Sequence, residues 1–104
     1  GPRAPGQHHR HYAPTTTTLT FRETPTEALG SADSGWLWCT NAQPTHGPAL
    51  DLGADPHVYA ANLYAALYEL DALDLTRLYI QLPPSDAAWA AVHDRLARAS
   101  QRLN

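Results

Sequence analysis

The chain has 104 residues, the size of one domain, and a domain this small buries only about two thirds of the surface its unfolded chain exposes. Seven basic and ten acidic side chains give it a formal charge of -3, which argues against nonspecific nucleic-acid binding, since that needs a basic surface. Cys39 is the single cysteine, so there is no intrachain disulfide framework. No apolar run approaches the roughly 20 residues of a membrane span, and the N-terminus has no apolar signal-peptide core. A soluble, cytoplasmic protein is expected.

Residues 1–14, GPRAPGQHHRHYAP, are rich in proline and histidine and show no periodicity, so they read as a linker that lies across a surface. From Thr15 the chain is β-branched and alternates, with Leu19 and Phe21 on one side and Thr18 and Thr20 on the other, which predicts a strand. Thr24-Pro25-Thr26-Glu27 offers a helix start, with Thr24 as cap and Pro25 at the first helical position. Gly30 and Gly35 keep that helix short. Gly35 to Thr40 is an apolar run bounded by turn residues, as in a buried parallel strand, and Ala49 to Leu52 is a short strand candidate.

Asp55 and Pro56 are a cap and first residue for a longer helix. Along it Tyr59, Leu63, Ala66, Leu67, Leu70 and Leu73 recur at steps of three and four, with Asn62, Glu69 and Asp71 off the stripe. Leu75 to Leu82 alternates as a strand and stops at Pro83-Pro84. Ser85 is the expected cap of a last helix whose stripe is Trp89, Val92, Leu96, Ala99 and Leu103, with Arg98 and Arg102 in its final turns. Strands alternating with helices predict a small α/β domain: a mostly parallel sheet of about four strands, with helices on its faces in three layers.

The residues give few leads to chemistry. His8, His9 and His11 are close enough to suggest a zinc or copper site, but no cysteine or carboxylate lies nearby to complete it. There is no nucleophile elbow, no P-loop and no dinucleotide fingerprint. In a doubly wound sheet the ligand side is the carboxyl edge of the strands, where Thr40, Asn41, His46 and Ser85 are the polar candidates. Each has an equally simple use in satisfying loop backbone. Tyr59, Tyr64, Tyr68 and Trp89 read as core or rim aromatics, and Cys39 as a buried strand residue.

Pro5, Gly6, Arg10, His11, Tyr12, Ala13 and Pro14 resemble the interdomain linker of two-domain threonylcarbamoyl-AMP synthases, which typically reads SPGMKYRHYAP. Ala4, Gln7, His8 and His9 stand where that linker has Ser, Met, Lys and Tyr. Asn62 to Leu67 with Glu69-Leu70-Asp71 resembles the family's NLYAALRELD, and Asp94-Arg95-Leu96 its DRL near the C-terminus. Residues around Ala87-Ala88-Trp89 replace the usual Gly-Leu-Gly.

The resemblance implies a linker at 1–14 and a Rossmann-like C-terminal domain at 15–104. It also implies a catalytic YrdC-like domain on the N-terminal side, which uses ATP and magnesium and holds the chemistry of a nucleotidyltransferase. That chemistry makes threonylcarbamoyl-AMP for tRNA modification. The linker would close over the catalytic pocket, with Arg10, His11 and Tyr12 facing the threonylcarbamoyl-AMP. The chain by itself is then expected to be inactive, to need no cofactor and to touch neither nucleic acid nor membrane. Two other readings stand beside this one: a self-standing module that binds a nucleotide or a protein, and a metal-binding protein built on the histidine cluster.

Overall fold

A computed structural model of the chain describes residues 12–104. Five strands, β1 (Thr17–Phe21), β2 (Ser34–Trp38), β3 (Ala49–Asp51), β4 (Arg77–Gln81) and β5 (Gln101–Arg102), form one sheet in the order β3-β2-β4-β1-β5. Every pairing is parallel. Two helices, α1 (Pro56–Asp71) and α2 (Ala90–Ala99), complete the α/β architecture. The fold is the α/β one with a parallel sheet that the alternation predicts and is compatible with a small Rossmann-like domain, with a fifth strand, only two residues long, added at the edge.

Parallel strands are covered on both faces, and all five residues of β2 are buried. Alternation then sorts the side chains. Leu37 and Cys39, with Leu78 and Ile80 of β4, meet Tyr59, Leu63, Leu67 and Leu70 of α1 and Val92 and Leu96 of α2. Both helices therefore pack on the same face. On the other face Phe21, Trp36, Trp38 and Tyr79 form an aromatic cluster covered by Ala28 and Leu29. Trp36 and Trp38 stack with ring centroids 5.4 Å apart and planes 7° apart, Tyr79 continues the stack at 4.8 Å, and Phe21 meets both indoles edge-on. The buried Nε1 of each indole has no hydrogen-bond partner among the described residues, so apolar contact and ring geometry hold this layer.

The connection from β1 to β2 crosses the aromatic face in one direction. Those from β3 to β4 and from β4 to β5 cross the helical face in the other. Opposite directions on opposite faces are what a uniform crossover hand requires.

Local rules hold best at α1. The Asp55 carboxylate accepts the His57 and Val58 N–H groups at 2.9 and 3.2 Å, with Pro56 in the first turn. Three expectations are corrected. The helix after Thr24 is a single 3-10 turn, Thr26–Ala28, with no side-chain cap. Pro25 (φ -74°, ψ 84°) stands before that turn rather than in it, and the Thr24 hydroxyl accepts from Gln43 Nε2 at 3.2 Å instead. Ser85 does not cap the last helical segment. Asp86, whose carboxylate is the stronger acceptor, takes the Ala88 N–H at 3.2 Å and begins a 3-10 turn, Ala87–Trp89, that leads into α2. Finally, α2 ends at Ala99, because Ser100 is extended (φ -152°, ψ 173°). Arg102 and Leu103, expected on the helix, run along the sheet edge, where Arg102 is in β5 and the Leu103 N–H donates to the Thr20 carbonyl at 2.8 Å.

The loop before β3 is pressed onto the start of β2 at Gly47, where an added Cβ would lie 1.8 Å from the Ser34 carbonyl oxygen. That atom is backbone and cannot swing aside. Gly47→Ala should therefore lower the urea midpoint by an amount equivalent to at least about 1–3 kcal/mol. At Gly30 an added Cβ meets nothing within 4 Å, so Gly30→Ala should stay within about 1 kcal/mol of the parent.

Candidate functional site

Among the described residues, the densest polar constellation lies where the segment entering β1 reaches α1. Asp71, the last residue of α1, accepts five groups of the incoming chain. Its Oδ1 takes the Thr16 N–H at 2.8 Å, the Thr16 hydroxyl at 2.6 Å and the Thr15 hydroxyl at 3.2 Å. Its Oδ2 takes the Tyr12 hydroxyl at 3.0 Å and the Thr15 N–H at 3.1 Å. The Tyr12 ring then packs edge-on against Tyr64, centroids 6.3 Å apart, and tilted against Tyr68 at 6.1 Å. One carboxylate and two tyrosines on successive turns of α1 thus hold residues 12–16 in a defined direction.

The helix makes this carboxylate unusual. The carboxyl end of a helix carries partial negative charge and disfavours an acid, and α1 has no basic side chain in its last turn. Partial burial alone would raise the Asp71 pKa. The Thr16 hydroxyl, the Thr16 and Thr15 N–H groups and the Tyr12 hydroxyl outweigh it and hold the carboxyl below its ordinary value. Burial, followed by the hydrogen bond to Asp71, pushes the Tyr12 phenol well above its ordinary value, so it stays a donor across the physiological range.

The carboxyl edge of the sheet is arranged differently. Gln81, at the end of β4, accepts the Cys39 and Thr40 N–H groups on its Oε1 at 2.8 and 2.9 Å, and its Nε2 donates to the Thr40 hydroxyl at 3.4 Å. Asn104 does the same at the end of β1. Its Oδ1 accepts the Arg22 and Glu23 N–H groups at 2.8 and 3.1 Å, and its Nδ2 donates to the Glu23 carbonyl at 2.9 Å. Four backbone N–H groups of the kind that cradle phosphates in other α/β proteins are here matched to side-chain amides.

Of the polar candidates at this edge, Thr40 joins the Gln81 network. Asn41 is exposed with φ 49°, and Ser85 and His46 are exposed. Trp89 is buried edge-on against Tyr59, centroids 5.3 Å apart, and burial raises the Cys39 thiol pKa, with the Asp51 charge adding to it. His8, His9, Arg10 and His11 lie outside the described residues. Among the described residues no group of three His, Cys, Asp or Glu is placed to hold a metal ion, and no helix is long and apolar enough to cross a membrane.

The residues that sequence reasoning passed over are Asp71, Thr15 and Thr16, together with Gln81 and Asn104. Asp71 did carry a signal: an acid off the apolar stripe, at the helix end where the dipole penalises it. Gln81 and Asn104 had none, since an amide at a strand end is ordinary in sequence.

The family model for the C-terminal domain of threonylcarbamoyl-AMP synthase matches residues 1–101. Neither the curated proteins nor the solved structures contain a significant match to the chain.

Two outcomes follow from this geometry. Asp71 has a lowered pKa in the folded state, so its contribution is present above the ordinary carboxylate value of about 3.9 and is lost only as pH falls through the lower folded value. In an acid titration followed by NMR, the Thr15 and Thr16 amides should keep their positions after exposed carboxylates have titrated and then move together, a step that Asp71→Asn abolishes. At the carboxyl edge, Gln81→Ala leaves two N–H groups without their acceptor and should cost about 1–3 kcal/mol in urea unfolding.

Proposed function

Because the chain belongs to the C-terminal-domain family of threonylcarbamoyl-AMP synthases, we propose that it is the accessory domain of an L-threonylcarbamoyladenylate synthase. Its role is to fix one end of the linker that closes over a YrdC-like catalytic domain. The reaction of the whole enzyme condenses L-threonine, bicarbonate and ATP into threonylcarbamoyl-AMP, with loss of pyrophosphate and water, and the product serves tRNA modification. ATP and magnesium act in the catalytic domain, so the bond-making step lies outside this chain.

The observation that carries this reading is the Asp71 clamp. Threonylcarbamoyl-AMP is a mixed anhydride that water destroys, and a closing segment protects it by excluding water. A lid works only if it returns to the same place, because loosely held groups forfeit the advantage of orientation. The clamp on Tyr12, Thr15 and Thr16 supplies such a fixed origin immediately after Arg10 and His11 in the chain. In this proposal Arg10 meets phosphate or carboxylate through its planar fork and His11 donates a hydrogen bond. Tyr12 has a second duty, since its hydroxyl is bonded to Asp71 and its ring is packed on α1. It serves the lid as a hinge pin, with the face turned away from α1 left for the ligand.

The test uses a protein carrying both domains. Arg10→Ala should lower the rate of threonylcarbamoyl-AMP formation through loss of a ligand contact, and Asp71→Ala should lower it by about tenfold to a hundredfold through misplacement of the linker. Circular dichroism should show Asp71→Ala still folded. Unchanged kinetics in both variants would sink the lid assignment. Product formation by residues 1–104 alone would sink the accessory role.

A further inference from the structure

We draw no further inference here: the strongest candidate, the exposed apolar face of α1 formed by Val58, Ala61, Ala65 and Tyr68, carries none, because nothing in the structure shows what covers it.

Discussion

A sheet whose strands all run one way must be covered on both faces and closed at its carboxyl edge, and the rest of this structure follows from meeting those demands in a short chain. β4 sits between β1 and β2 and sets the pattern. Leu78 and Ile80 face the two helices, and Tyr79 faces the aromatic cluster. The helical side is conventional packing of apolar stripes. Among the described residues the opposite side has only a 3-10 turn and loops above it, and large flat rings compensate for the thin cover. Stacked and edge-on aromatics bury much area per residue and fix their own geometry.

The carboxyl edge shows the same economy. In α/β proteins that bind phosphates, the N–H groups at strand ends and helix starts are left for the ligand. Here the Gln81 and Asn104 amides take four of them, and Asp55 and Asp86 occupy the starts of α1 and of the segment leading to α2. A carboxylate at a helix start also repels an incoming phosphate. The domain keeps the topology of a nucleotide-binding fold while its backbone donors are matched internally. That favours a supporting role over a nucleotide-handling one, and it agrees with the indole of Trp89 filling the place of a glycine in the family pattern.

Much of this fold was legible because strong local signals coincide with tertiary need. The Asp55-Pro56 start and the leucine stripe of α1 specify one helix and the face it buries, and the apolar run at Gly35 to Thr40 fits the buried strand that forms there at Ser34–Trp38. Legibility failed where a long-range partner decides the conformation. Nothing near Ser100 says that the helical stripe stops one turn before Leu103. The chain leaves the helix because the open side of β1 offers hydrogen bonds to residues 101–104. In the same way Pro25 looks like a helix start, yet the segment after it forms one 3-10 turn whose Ala28 packs on the aromatic cluster. The candidate site divides along the same line. The motif at residues 5–14 was readable as a pattern, whereas the contacts of Asp71 join residues 55 to 59 positions apart, which no local window contains.

The contacts at Asp71 also bear on the proposed role of Tyr12. As a motif residue it reads as one of three ligand-facing side chains, equivalent to Arg10 and His11. Its phenol is bonded to a carboxylate that is itself saturated by Thr15 and Thr16, and its ring lies on Tyr64 and Tyr68. Freeing that hydroxyl for a ligand would break a charge-assisted hydrogen bond, the strong kind, and would expose Asp71 at the end of a helix where a bare carboxylate is disfavoured. The cheaper arrangement keeps Tyr12 seated on α1. In the proposed function, Tyr12 is the pivot of the lid, Arg10 and His11 are its ligand contacts, and α1, whose other face is bound into the core, supplies the rigidity. As the accessory domain proposed above, the chain would contribute to catalysis without touching a reacting atom, through the constancy of one attachment point.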